Sequence, residues 1–174
     1  MNHLLLFPSE KHSGRVRLFV LICCWICGLL LGIHYASRAD DTYFLLMHTA
    51  ATARVSITGL LAAVFLPFLF SAFAVYILRP ELLLAVCFLK AASFSCCSFG
   101  LMHAFGSAGW LVRFLLQFSD CFMIPVLLWF SVRHIVKSVK PVWRDFLICS
   151  LWMLIVGAFD YCIVSPFLVG LIDH

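Results

Sequence analysis

Five apolar runs, at residues 18–37, 57–78, 82–102, 111–132 and 146–171, decide what this chain can become. Each is long enough for the roughly 20 helical residues that a hydrocarbon core of about 30 Å demands. A helix satisfies its own backbone N–H and C=O groups, which lipid cannot do. In a chain of 174 residues, five such crossings leave only short connections. A separate soluble domain does not fit, and an enzyme with a large aqueous active site is not expected. Charged residues make up 11% and apolar ones 64% of the chain, against about 25% and 45–50% in soluble domains.

The formal net charge of +4 is explained by topology. Lys11, Arg15 and Arg17 precede the first run, and Arg133, Lys137, Lys140 and Arg144 follow the fourth. Lysine and arginine mark cytoplasmic ends. An N-terminus inside puts both basic segments in the cytoplasm, and leaves Asp40, Asp41 and the C-terminus outside. The fold class is therefore all-α, a polytopic bundle of about five transmembrane helices. Residues 1–17 form a basic cytoplasmic leader and 18–172 a single membrane bundle; no nucleic-acid partner is expected. The first run is long for a signal peptide and no small-x-small site follows it, so it reads as an uncleaved span. Trp110 and Trp143 fall at span ends, where aromatic belts form.

Residues 43–56 are too polar to cross, with His48, Thr49, Thr52 and Arg54 among the apolar positions. They read either as an amphipathic segment at the outer interface or as an aqueous extension of the next helix. Pro67 predicts a bend in the second span, and Pro166 a break in the long fifth one. Nine cysteines would suggest disulfides in a small secreted domain, but all nine lie in apolar runs. There they act as small hydrophobes.

Two small-residue faces predict close helix packing. Cys24, Gly28, Gly32 and Ala36 repeat every fourth residue in the first span; Ala85, Ala92, Cys96 and Gly100 line the third. These faces seat either each other or a partner subunit. Three ionisable residues, Lys90, Asp120 and Asp160, fall in the middle half of the bilayer at about 1.5 Å of rise per residue. One unpaired charge at that depth costs about 2.5–3.5 kcal/mol. The economical arrangement pairs Lys90 with Asp120 or Asp160 and leaves the other acid protonated or in a wet cavity. A structural pair fixing helix register, with Lys90 snorkelling, and a polar transport pathway both fit. Arg113 reads as a headgroup anchor. No HExxH, GxSxG or nucleotide-binding loop occurs, so no catalytic, metal or cofactor residue is assigned and an enzyme is not expected.

Residues 82–132 carry a recognisable order: Phe88-Leu89-Lys90, small residues up to Phe99-Gly100, a turn with Gly106 and Gly109, then Leu115-Leu116 and Met123-Ile124-Pro125. The stretch resembles the stage II sporulation protein M family of small bacterial membrane proteins. Ala91 and Ala92 stand where that family has glycine, and Phe118-Ser119-Asp120 where it has a Pro-Gln-Asn type of sequence. The resemblance implies a non-enzymatic scaffold in the bacterial cell membrane. Its partners would be envelope proteins, cell-wall hydrolases among them, acting in sporulation or a related process. The rival expectation is a small transporter or channel component with Lys90, Asp120 and Asp160 along a polar route.

Overall fold

A computed structural model describes residues 10–52, 57–76, 81–106, 109–137, 142–164 and 166–167. The chain is all-helical, with no strand among the described residues. Among the described residues, seven α-helices follow one another: α1 Glu10–Ser37, α2 Asp41–Thr52, α3 Ile57–Tyr76, α4 Leu82–Phe105, α5 Gly109–Leu116, α6 Phe118–Ser131 and α7 Trp143–Phe159. Helices α6 and α7 each run on into a wider π-helical turn, Val132–Val136 and Asp160–Val164. Among the described residues, four stretches are long and apolar enough to cross a membrane: Gly14–Ser37, Leu82–Phe105, Phe118–Val136 and Trp143–Val164. Arg79, Pro80, Arg54, Lys140 and residues 168–174 lie outside the described residues, as does the side chain of Pro67.

Element ends differ from the apolar runs for physical reasons. Helix α1 is already formed at Glu10, ahead of the apolar run at 18–37, because backbone hydrogen bonding does not depend on apolar side chains. Residues 111–132, expected as one helix, are two. Gln117 leaves helical geometry at φ −102°, ψ 16°, and separates the short α5 from α6. The polar stretch after the first span forms its own helix, α2, which packs on α4.

One end of the bundle gathers several hydrogen-bonded ends. Arg17 Nη1 donates to Ile135 O at 3.1 Å, and Tyr76 OH to Val142 O at 2.7 Å. Arg133 Nε meets Asp145 Oδ2 at 2.7 Å. The N-terminal half of α1, the end of α3, the π turn after α6 and the start of α7 therefore meet there. The connection at residues 38–40 and the last turns of α4 belong to the opposite end.

The bundle is apolar outside and partly polar inside. Phe19, Ile22, Ile26 and Leu30 of α1 and Leu147, Leu151 and Ile155 of α7 are exposed, whereas Ser71, Ser98, Gln117, Ser131 and Asp160 are buried. That inversion suits lipid, where apolar exposure carries no penalty and unsatisfied polar groups do. Leu21, Phe68, Leu83, Met123, Leu127, Phe130 and Met153 fill the centre towards the Arg133 end. Phe68 stands edge-on to Phe130 and stacked on Phe146. Hydrophobic force does not hold helices together in lipid, so close packing and interhelical hydrogen bonds must.

Candidate functional site

Helix α4 is the hub, and its closest neighbour is α1. A Cβ on Gly28 would stand 2.5 Å from Phe88 O and 2.9 Å from Ala91 Cβ. One on Gly32 would collide with Ala92 O and Ser95 Oγ and come within 2.9 Å of Cys96 N. Only glycine lets the two backbones approach this far, and Ser95 Oγ uses the contact to donate to Leu29 O at 2.9 Å. The two small-residue faces thus fill each other within the chain. At Gly100 the visitor is α2: a Cβ there would sit 2.9 Å from Tyr43 OH and 3.2 Å from Met47 Cγ.

Lys90 of α4 points at α6, and its Nζ stands 2.6 Å from Asp120 Oδ1. Relative exposures of 13% and 17% keep water's screening low on both sides. Asp160, the first residue of the π turn after α7, is buried beside them. Its carboxylate accepts from the Ser119 hydroxyl and lies close enough to Asp120 for the two to repel. Three helices therefore bring two carboxylates, one ammonium and one hydroxyl to a single level.

A second polar layer lies about two turns further along α4. Ser98 Oγ donates to Gln117 Oε1 at 2.7 Å, and Gln117 Nε2 donates to Phe94 O at 2.9 Å. Arg113 Nε reaches the same Gln117 Oε1 at 3.4 Å, with its guanidinium 5.8 Å from the Phe94 ring centroid. Arg113, read from sequence as a headgroup anchor, is thus engaged partly within the protein. Gln117 carried no sequence motif. The only available signal was a buried-type amide inside an apolar run, three residues before Asp120.

At the corner where α1 gives way to α2, Tyr43 OH donates to Cys96 O at 3.1 Å and lies 3.2 Å from Cys96 Sγ. Burial, and secondly the bond to Cys96, pushes the phenol's pKa upward. Phe44 stacks on His103 and His48 on Phe105, so α2 is clamped along the last turns of α4. All nine cysteines are free thiols, and no group of three His, Cys, Asp or Glu side chains converges among the described residues.

Chemically, the central layer can hold charge, exchange a proton between carboxylates, or lock α4 to α6. Comparisons with protein-family models, curated proteins and solved structures find no match for this chain.

Proposed function

We propose that this chain is an integral membrane scaffold or assembly protein of the kind that the resemblance of residues 82–132 to stage II sporulation protein M implies. It would cross the cell membrane of a bacterium five times, α3 supplying the remaining span, with the N-terminus in the cytoplasm and the C-terminus outside. The observation that carries the reading is internal pairing across that stretch. Lys90 is matched by Asp120 and Ser98 by Gln117, so α4 to α6 form one braced hairpin. A braced hairpin suits a platform that keeps its shape while other proteins dock on it. Charge supports the orientation: Arg17, Arg133 and Arg144 lie near one end, whereas Asp40 and Asp41 flank the connection at the other.

The test is a mild-detergent pull-down from native membranes with mass spectrometry of what accompanies the protein. Recovery of cell-wall hydrolases supports the scaffold; recovery of an ATPase or other transport subunits, or of no partner, overturns it. Labelling of single cysteines placed at Arg15 and Asp41 from either side of the membrane checks the orientation.

A second reading, a small transporter or channel component, is favoured by Asp160. A second buried carboxylate beside a satisfied ion pair exceeds what helix locking needs. It predicts that Asp160→Asn or Asp120→Asn abolishes flux in proteoliposomes while insertion is unchanged. Normal flux in both variants would end it.

A further inference from the structure

Between the end of α1, the 38–40 connection, the start of α2 and the flank of α4 lies an open cleft of about 620 Å³. Leu31, His34, Tyr35, Arg38, Tyr43 and Cys96 contribute to its walls. From Gly14 to Ser37 a helix rises about 36 Å, roughly the thickness of a hydrocarbon core. His34 to Ala39 therefore stand at headgroup depth if Gly14 stands at the opposite surface. We propose that this cleft binds the headgroup of an aminophospholipid, phosphatidylethanolamine being the type, with its phosphate on Arg38 and His34. The proposal rests on the membrane-spanning reading of α1.

Three observations select that occupant. The cationic part is at the polar end of a helix whose outer face, Leu30, Leu31 and Ile33, is exposed and apolar, so an acyl chain leaving the cleft runs along protein already turned to lipid. Arg38 is exposed at the helix end, where its planar fork suits two phosphate oxygens. Asp40 and Asp41 follow the wall residue Ala39 directly and are exposed. They disfavour a purely anionic guest and suit one that carries an ammonium beside its phosphate. A choline headgroup has the same charges but no N–H to donate to them. The phenols of Tyr35 and Tyr43 line the same space, although Tyr43 OH is already committed to Cys96.

The experiment uses the full chain in mild detergent, with phosphatidylethanolamine, phosphatidylglycerol and phosphatidylcholine of identical acyl chains offered together, and counts retained lipid by native mass spectrometry. The expected result is preferential retention of phosphatidylethanolamine. Arg38→Gln should reduce it by about tenfold, the scale of losing one charge-assisted contact, and Arg144→Gln at the opposite end should leave it unchanged. Leu31→Trp, which fills the cleft without touching charge, should also reduce it and serves if Arg38→Gln fails to fold. Equal retention of the three lipids, preference for phosphatidylglycerol, displacement by inorganic phosphate, or indifference to both cleft variants would each overturn the proposal. Loss of helix insertion in the unmodified chain would instead count against the spanning reading.

Discussion

Lys90 and Asp120 stand 2.6 Å apart across the α4–α6 contact, and Asp160 is held next to Asp120 rather than opposite Lys90 as a third independent partner. The consequence is an asymmetry. Removing Lys90 leaves two carboxylates facing each other without a cation, whereas removing Asp120 also removes the carboxylate that repels Asp160.

Lys90→Met should therefore destabilise the bundle more than Asp120→Asn does. The scale is about 3 kcal/mol, that of one uncompensated charge at mid-bilayer depth. The double variant Lys90→Met with Asp120→Leu should recover most of the loss, because replacing both partners removes the desolvation penalty as well as the attraction. Thermal melting in detergent of the four proteins checks this. A double variant as unstable as the two single losses added together would show that the pair does not act as a unit.

The charged level was legible in the sequence because ionisable residues are conspicuous in apolar runs, and rise per residue alone puts them near one depth. Which acid takes Lys90 was not legible, since it depends on helix rotation. The seams of Gly28, Gly32 and Gly100 were legible as spacing, but their partners were not. The same stripe serves a neighbouring helix or another subunit equally well, and only the backbone approach of α1 to α4 distinguishes them. The break at Gln117 was invisible to hydropathy, because leucine and phenylalanine flank it on both sides and no proline or glycine marks it.

Bulk at the glycine seam should be costly in proportion to what it meets. Gly32→Ala, aimed at Ala92 O and Ser95 Oγ, should lower stability by about 1–3 kcal/mol, the usual cost of overpacking. Gly157→Ala in α7 meets nothing within 4 Å and should be neutral or stabilising by up to about 1 kcal/mol, from helix propensity. Equal melting temperatures for these two variants would argue that α1 does not pack on α4 in the membrane.

Gln117 is a buried amide serving Ser98, Arg113 and Phe94 O at once. Gln117→Leu would leave Ser98 and the Phe94 carbonyl with fewer partners, at about 1–3 kcal/mol for a buried group left unsatisfied. Gln117→Glu keeps an acceptor oxygen for Ser98 and Arg113 but puts a second oxygen where the amide donates to Phe94 O, so it should behave differently from Leu. Hydrogen exchange of α5 amides distinguishes them from a general loss of fold: exchange should rise in residues 109–116 before it rises in α7.

The docking of α2 should be insensitive to pH across the physiological range. The Tyr43 phenol has its pKa raised in the folded state by burial and by Cys96, above the ordinary value of about 10. A group shifted upward contributes stability that is fully present below its unfolded pKa and is lost as pH rises through the folded one. From pH 6 to 9, then, the population with α2 docked on α4, read as the distance between nitroxide labels on the two helices, should be constant, and it should decline only under strongly alkaline conditions. Tyr43→Phe removes the bond to Cys96 O at a cost of about 1 kcal/mol and removes the alkaline decline with it. A decline that begins near pH 8 in the unmodified protein, or that persists in Tyr43→Phe, would assign the α2–α4 contact to a different titrating group.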